Sequence, residues 1–169
     1  MLPLTPELET LCQQVAEALL TRGWRLATAE SCTGGWVSAA LTSLPGSSRW
    51  FEGGVVSYAN AVKIGLLGVS PEVLAERGAV SEPVAIQMAA GVLQALNVDI
   101  AVSITGIAGP DGGSAEKPVG TVCFAWATAE QVEVKTCHFA GDREQVRLQA
   151  VMFALGGVLE RTRQFDVLC

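Results

Sequence analysis

Apolar residues recur at helical spacing near the start of the chain, and this pattern predicts a first helix that Gly23 ends. Its apolar face consists of Leu8, Leu11, Cys12, Val15 and Leu19. Further helices are predicted over residues 34–44, which Pro45-Gly46 ends, and over 61–67. Two more begin at Ser70-Pro71 and at Ser81-Glu82-Pro83, with proline in the first turn.

The helix that begins at Ser81 has the most regular pattern. Its apolar face consists of Ala85, Met88, Ala89, Val92, Leu93 and Leu96. A last helix is predicted from Asp142 to about Arg161, because Asp142 and Gln145 have the spacing of a capping box.

Short apolar runs between these helices predict strands over 25–29, 54–58 and 99–105. The alternating segments 119–128 and 131–139 predict a hairpin that turns at Ala129-Glu130, after a glycine-rich loop over 106–118. Strands that alternate with helices and then give way to a hairpin indicate an α/β fold. We therefore predict one domain over residues 1–169, a three-layer α/β/α sandwich with a mixed, mostly parallel sheet of about five strands.

Composition narrows the class of protein. Half of the 169 residues are hydrophobic and the net charge is −6, which disfavours a general nucleic-acid-binding surface. No apolar stretch reaches the ~18 residues that a membrane span needs, and the N-terminus lacks the pattern of a signal peptide. We expect a cytoplasmic protein with no nucleic-acid or membrane partner, although a few arginines can still bind a small anion.

Cysteine and histidine usage excludes several kinds of site. The five cysteines include no C-x-x-C pair, and reduced, buried thiols fit this odd number better than a disulfide framework. His138 is the one histidine, so a multi-histidine zinc site is excluded. A Ser-His-Asp triad would have to use His138, at the end of a predicted strand.

The segment from Ala29 to Gly35 (Ala-Glu-Ser-Cys-Thr-Gly-Gly) joins a predicted strand to a predicted helix. Glycines at such a junction allow a sharp turn, and the N–H groups at the helix start have no partner within the helix. Ser31 is therefore placed beside donors for an oxyanion or a phosphate. The alternative is that Ser31 or Thr33 only caps the helix.

A serine nucleophile needs a base, and with a single histidine a lysine is the natural substitute. The lysine pKa of ~10.4 must fall to about 7–8 for that role. Lys63 follows the second predicted strand, whose carboxyl end shares an edge of a parallel sheet with Ser31. The alternative is that Lys63 is a solvent-exposed residue of a short helix. Tyr58 is either a core aromatic or a polar group at the mouth of the site. Lys117 and Lys135 lie in the glycine loop and the hairpin.

Other candidates lie where the same edge is expected. The third strand ends at Thr105-Gly106, and the loop that contains Gly109 can bring backbone amides close to a phosphate or serve as a plain connector. Arg143 and Arg147 lie one turn apart at the start of the last helix, so they share a face. The pair can bind a phosphate or carboxylate, or it can be solvated surface charge. Ser47 and Ser48 shape a turn or reach the site as secondary hydroxyls.

Taken together, seven segments of the chain resemble the C-terminal domain of the competence/damage-inducible protein CinA. They are 30–35, 45–48, 56–60 with Lys63, 78–81, 105–110, 117–121 and 141–143. Each motif is weak by itself, but their order along nearly the whole chain is specific. The resemblance implies an α/β/α fold with a mixed sheet and a nicotinamide-nucleotide amidase, which hydrolyses nicotinamide mononucleotide (NMN) to nicotinate mononucleotide and ammonia.

The resemblance also implies a serine nucleophile and a lysine base, which match Ser31 and Lys63. We expect Tyr58 to assist proton transfer, with no metal or organic cofactor. The predicted substrate-binding residues are Thr33, Gly34, Gly35, Ser48, Thr105, Gly106, Gly109 and Arg147. We expect a homodimer or a higher homo-oligomer. We also expect no pyrophosphatase activity, which the N-terminal domain of longer relatives carries.

Two other interpretations stay open. The chain could be a nucleotide-binding regulatory module of the same fold that has lost hydrolysis. It could also be a thiol enzyme that uses Cys32, which alkylating agents would then inhibit.

Overall fold

The computed structural model describes residues 4–164, which form a five-stranded sheet with helices on both faces. In chain order the elements are α1 (Pro6–Arg22), β1 (Leu26–Glu30), α2 (Trp36–Thr42), a short 3-10 helix (Ser47–Arg49), β2 (Phe51–Val56), α3 (Asn60–Leu67), α4 (Pro71–Arg77), α5 (Glu82–Leu96), β3 (Ile100–Gly106), β4 (Thr121–Thr128), β5 (Val132–His138) and α6 (Arg143–Gln164). The predicted α/β/α sandwich with a mixed sheet is confirmed.

The strand order is β2-β1-β3-β4-β5. β1 pairs in parallel with β2 and β3, while β4 is antiparallel to both β3 and β5, so β4 alone runs against the others. The carboxyl ends of β1, β2 and β3 therefore lie at one edge of the sheet, which we call the carboxyl edge. The opposite edge is the amino edge.

The core has two parts, one on each face of the sheet. Helices α1, α2 and α6 pack on one face, and α3, α4 and α5 on the other. All five residues of β1 are buried because the strand lies inside the sheet and is covered on both faces. Within residues 4–164, no helix combines the length and apolar character that a membrane span requires.

Several predicted boundaries shift by a few residues, each for a local reason. Strand β2 covers Phe51–Val56 and not 54–58, because its pairing with β1 begins at Leu26 and Phe51. Helix α2 begins at Trp36, since Gly34 and Gly35 have positive φ angles of 61° and 94°.

Strands β3, β4 and β5 start or end one or two residues from the predicted limits, and α6 continues to Gln164. The predicted capping box is confirmed by two reciprocal hydrogen bonds. The Asp142 N–H donates to the Gln145 side-chain oxygen at 2.8 Å, and the Gln145 N–H donates to Asp142 Oδ1 at 2.9 Å.

Candidate active site

Ser31 and Lys63 meet at the carboxyl edge. Ser31 directly follows β1, and Lys63 lies in the first turn of α3, shortly after β2. Lys63 Nζ lies 3.1 Å from Ser31 Oγ and donates to the backbone oxygens of Ser57 at 2.6 Å and Tyr58 at 3.4 Å. The two parallel strands thus produce the contact that the sequence predicts.

Lys63 is buried, and this burial determines the chemistry of its amine. Its side chain is 1% exposed, so the alternative of a solvent-exposed helix residue is wrong. Burial lowers the pKa of Lys63 below its usual value, opposed in part by Cys32. In the described part of the chain, none of its hydrogen-bond acceptors is a carboxylate. A lysine with a lowered pKa beside a serine hydroxyl is suited to act as a general base.

The loop after Ser31 presents free backbone donors. The carbonyl of Ser31 accepts the Gly34 N–H, and that of Thr33 accepts the Trp36 N–H, so the chain makes two tight turns. The N–H groups of Cys32, Thr33 and Gly35 bond to no group within residues 4–164. They can therefore bind an oxyanion beside Ser31 Oγ.

Glu30 takes the role at the start of α2 that the sequence suggested for Ser31 or Thr33. Its buried carboxylate accepts the N–H groups of Val37 and Ser38 at 2.9 and 3.1 Å, and the Ser38 hydroxyl at 2.8 Å. The interpretation of Ser31 or Thr33 as a mere helix cap is therefore wrong. Sequence analysis missed the capping role of Glu30 and its contact with Ser38. A carboxylate in a buried strand needs hydrogen-bond donors, and the N–H groups at the start of the next helix can provide them.

Arg147 holds the loop from the side of α6. Its Nε donates to the Cys32 oxygen at 3.1 Å, and its Nη2 donates to the Thr33 oxygen at 2.9 Å. The guanidinium also lies 5.4 Å from the ring centroid of Trp36. Since a guanidinium carries five N–H donors, three remain for another acceptor. The Thr33 hydroxyl is buried and has no partner among the described residues.

Arg143 connects three segments at the same edge. Its Nη1 donates to the Gly109 oxygen at 2.8 Å, and its Nη2 donates to the Tyr58 hydroxyl at 3.2 Å. Tyr58 is 60% exposed, so it is not a core aromatic. Within residues 4–164 its hydroxyl bonds only to Arg143, and its contact with Lys63 is through the backbone oxygen.

Thr105 and Gly106 also reach the carboxyl edge. The Ser31 N–H donates to the Ile104 oxygen at 2.9 Å, which sets Thr105 beside Ser31 in the continued register of β1 and β3. The buried Thr105 hydroxyl donates to the Ala79 oxygen at 2.9 Å. A Cβ at Gly106 would lie 2.7 Å from Val122, so the end of β3 packs tightly.

Residues 8–162 match the family model of the CinA C-terminal domain. The chain belongs to this family. A protein from Escherichia coli K12 named nicotinamide-nucleotide amidohydrolase PncC is 57% identical over 151 residues, which cover 88% of this chain and 91% of that protein. A CinA-like protein from Syntrophobacter fumaroxidans is 52% identical over 147 residues, 87% of this chain but 35% of its own length.

Solved structures of the CinA superfamily have the same fold. A CinA superfamily protein from Klebsiella pneumoniae superposes with a TM-score of 0.90 and 43% identity, covering 93% of this chain and 98% of that one. The competence/damage-inducible protein CihA from Agrobacterium tumefaciens gives a TM-score of 0.91 at 40% identity, covering 95% and 98%.

Ser48 of this CinA domain does not lie with the other predicted site residues. It belongs to the 3-10 helix before β2, and its backbone oxygen accepts a hydrogen bond from Arg25 at 3.4 Å, at the amino edge. The length of β1 separates it from Ser31, about 17 Å at roughly 3.3 Å per residue. This placement does not support the prediction that Ser48 binds the substrate next to Ser31 of its own chain.

The remaining candidate bases of the CinA domain have other partners. Lys117 Nζ donates to the Arg77 oxygen at 2.7 Å, and Lys135 lies 5.8 Å from the ring centroid of Phe153. His138 Nδ1 lies 3.2 Å from the Thr121 hydroxyl. In the described part of the chain, Lys117, Lys135 and His138 make no contact with Ser31. A triad through His138 therefore does not form.

Cys32 is poorly suited to act as a nucleophile. Burial raises the pKa of its thiol to about 12, and the side chain is 6% exposed. Cys12, Cys32, Cys123 and Cys137 are all free thiols, while Cys169 lies outside the described residues. Among residues 4–164, no cluster of three histidine, cysteine or acidic side chains could hold a metal ion.

Proposed function

We propose that this chain is a nicotinamide-nucleotide amidohydrolase that converts NMN and water to nicotinate mononucleotide and ammonia. The observation that carries the proposal is the 3.1 Å contact between the Lys63 amine and the Ser31 hydroxyl at 1% exposure of the lysine. The identity of 57% to a protein named for this activity, over nearly its whole length, supports the same substrate.

In the first step, the neutral amine of Lys63 takes the proton of Ser31 Oγ, which attacks the carboxamide carbon of the substrate. The carbonyl oxygen becomes an oxyanion. The Lys63 ammonium then gives its proton to the amide nitrogen, and the C–N bond breaks to release ammonia. Lys63 is neutral again, and the nicotinoyl group is esterified to Ser31.

In the second step, Lys63 takes a proton from water, and the resulting hydroxide attacks the ester carbon. The bond to Ser31 Oγ breaks, and Lys63 returns the proton to that oxygen. The products are the carboxylic acid and the free serine. The backbone oxygens of Ser57 and Tyr58 orient the lysine amine toward Ser31 throughout both steps.

Backbone donors beside Ser31 are positioned to stabilise the oxyanion. The free N–H groups of Cys32, Thr33 and Gly35 lie within four residues of the nucleophile, on a loop fixed by Gly34, Gly35 and Arg147. Such preorganised donors are worth about 2.7–4 kcal/mol each in transition-state stabilisation. Thr105 and Gly106 border the same space from β3.

We assign the 5′-phosphate of the substrate to Arg147 and the glycine loop around Gly109. Arg147 retains three donors after it has bonded Cys32 and Thr33. The start of α2 is not available to the phosphate, because the Glu30 carboxylate bonds its N–H groups. Tyr58 and Arg143 form the rim of the pocket, and a proton relay through Tyr58 requires its hydroxyl to leave Arg143.

The decisive measurement is ammonia release from NMN, with free nicotinamide as the comparison substrate. We expect release from NMN, and Ser31→Ala should abolish it without changing the melting temperature by more than a few degrees. Ser43→Ala is a matched control, because Ser43 ends α2 away from the dyad and its hydroxyl bonds to the Ala40 oxygen. Tight NMN binding without ammonia release would instead support a regulatory module.

A further inference from the structure

Glu30 is a buried carboxylate that the proposed mechanism does not use. It directly precedes Ser31, it is 0% exposed, and no arginine or lysine within residues 4–164 forms an ion pair with it. Burial of a carboxylate without a cation is costly unless hydrogen bonds satisfy it. Here three donors do so, namely the N–H groups of Val37 and Ser38 and the Ser38 hydroxyl.

A short polar network continues from Glu30 along its own strand. Because the Ser38 hydroxyl donates to Glu30, its oxygen accepts the hydroxyl of Thr28 at 2.8 Å. Thr28 is fully buried and lies opposite Gly54 in the register of β1 and β2. A Cβ at Gly54 would overlap both hydroxyls, so the glycine leaves the space that this network occupies.

The position where a local cap of α2 would ordinarily stand is not available for one. Gly35 is the N-cap residue and makes no side-chain bond to the helix. Its φ angle of 94° is one that residues with a side chain rarely adopt, and a Cβ there would lie 3.4 Å from Val56. Serine, threonine, aspartate or asparagine at this position would strain the turn. Glu30 supplies the cap from the preceding strand instead.

The backbone of Glu30 is tied to the lysine side of the site. Its oxygen accepts the Ser57 N–H at 2.8 Å, and the Ser57 oxygen accepts Lys63 Nζ at 2.6 Å. The side chain of Glu30 at the same time holds the start of α2, just beyond the loop 31–35. Glu30 therefore links the lysine amine and the loop donors to one buried strand.

We propose that Glu30 is a positioning residue for the amidase reaction, because its carboxylate fixes the loop 31–35 so that the free N–H groups keep the geometry that the oxyanion requires. These are the N–H groups of Cys32, Thr33 and Gly35. The inference rests on the proposed function for the reaction. Preorganised donors are effective because they do not have to reorient during the reaction, and a displacement of ~1 Å can cost about 10²-fold in rate.

Arg147 holds the same loop from the other side, and the two anchors should have different kinetic effects. Arg147 bonds to the Cys32 and Thr33 oxygens and retains donors for the substrate phosphate. The Glu30 carboxylate is an acceptor only and bonds to the start of α2. Removal of the Glu30 charge should therefore destabilise the transition state and leave binding of NMN in the ground state unchanged.

The first test is the isosteric change Glu30→Gln. The amide keeps the shape but has one acceptor oxygen, and its NH2 group faces N–H donors of α2. We expect kcat for ammonia release from NMN to fall about 10²-fold, while KM stays within the same order of magnitude. The matched control is Glu133→Gln, also a strand glutamate with a charge-assisted bond, to Arg161, and it should keep kcat.

Ser38→Ala is a second variant that keeps the test decisive if Glu30→Gln does not fold. It retains the charge of Glu30, removes one of its three hydrogen bonds, and should lower kcat by a smaller factor. Thr42→Ala is its matched control, because it removes from the same helix a hydroxyl that bonds to the backbone oxygens of Ser38 and Ala39. Melting curves show whether each variant is folded at the assay temperature.

Binding of an aldehyde separates positioning from a purely structural role. In the aldehyde analogue of NMN, a CHO group replaces the carboxamide. Ser31 Oγ bonds to the aldehyde carbon, the serine proton passes to Lys63, and the carbonyl oxygen becomes an oxyanion with no leaving group lost. The Kd of the aldehyde should rise in Glu30→Gln about as much as kcat falls. The Kd of NMN, measured in a Ser31→Ala background, should not change.

The outcomes distinguish this inference from the proposed function. If the wild type releases ammonia and both variants keep kcat, or if NMN binding weakens as much as kcat falls, Glu30 has only a structural role and the inference is wrong. If the wild type releases no ammonia, the proposed function is wrong, and the Kd of the aldehyde alone decides whether Glu30 positions the loop. Lower kcat and weaker aldehyde binding, with NMN binding unchanged, support both.

Discussion

At the scale of single residues, the proposed mechanism depends on the burial of the Lys63 amine. Its amine contacts one hydroxyl and two backbone carbonyls, and no carboxylate within residues 4–164 forms an ion pair with it. Burial therefore favours the neutral amine, which can accept a proton. A buried ion pair would have had the opposite effect and held the lysine as an ammonium.

Replacement of Lys63 by arginine separates a base from a positive charge. Arginine keeps the charge but does not give up its proton in a protein. We expect Lys63→Arg and Lys63→Ala both to lower kcat by about 10²- to 10⁴-fold, the usual contribution of a general base. The measurement is ammonia release at saturating NMN. Near-normal turnover in the arginine variant would assign Lys63 an electrostatic role instead.

The pH dependence of the reaction should follow the same group. Because the proposed mechanism uses the free base and burial lowers the pKa of Lys63, kcat/KM should fall about tenfold per pH unit below that pKa and reach a plateau above it. The plateau should begin below the usual lysine value of 10.5. A profile that becomes level only at that usual value would mean that Lys63 titrates as an ordinary surface lysine.

Cys32 should be dispensable for turnover. Its thiol is buried with a pKa raised to about 12, so almost none of it is thiolate at neutral pH. Cys32→Ala should keep kcat within the same order of magnitude, and alkylating agents should inhibit the folded wild type only slowly. A folded but inactive Cys32→Ala protein would move the nucleophile from Ser31 to the cysteine.

At the scale of elements, the sequence predicts a helix correctly where the apolar periodicity extends over several turns or where a capping motif is present. The regular face of α5 and the capping box of α6 both lead to correct helices. The start of α2 is harder to predict, because the cap comes from Glu30, six residues before the helix begins. That carboxylate reaches the helix only because Gly34 and Gly35 adopt positive φ angles.

Two adjacent glycines in α6 should respond oppositely to alanine. A Cβ at Gly157 would lie 2.3 Å from the Trp126 ring, while one at Gly156 meets nothing within 4 Å. Gly156→Ala should stabilise the fold by about 0.4–1 kcal/mol through helix propensity and a less flexible unfolded chain. Gly157→Ala should destabilise it by about 1–3 kcal/mol through overpacking. Urea unfolding of both variants measures the difference, and equal effects would contradict this packing.

At the scale of the whole molecule, the site is assembled from segments that are far apart in the chain. Arg147 bonds to the Thr33 oxygen across 114 positions, and Arg143 bonds to Tyr58 across 85. The sequence places Ser31 and Lys63 together because parallel strands share a carboxyl edge. The same rule places Ser48 at the amino edge, because it comes directly before β2, so the prediction that Ser48 reaches the site conflicts with the strand direction.

The assembly of these segments predicts strong recognition of the substrate phosphate. Nicotinamide riboside, which lacks the phosphate, should have a kcat/KM lower than that of NMN by at least the 10- to 150-fold that one charge-assisted contact provides. Arg147→Ala should weaken use of NMN more than use of the riboside, because loss of its bonds to the Cys32 and Thr33 oxygens affects both substrates, whereas loss of the phosphate contact affects only NMN. An unchanged melting temperature is the control that the variant is folded.

The two substrates and the two proteins form a double-mutant cycle in kcat/KM. If Arg147 binds the phosphate, the cycle gives a coupling free energy, because the variant then loses a larger factor with NMN than with the riboside. If Arg147 only holds the Cys32 and Thr33 carbonyls, both substrates lose the same factor and the effects are additive. Additivity would transfer the phosphate to Arg143 or to the loop amides.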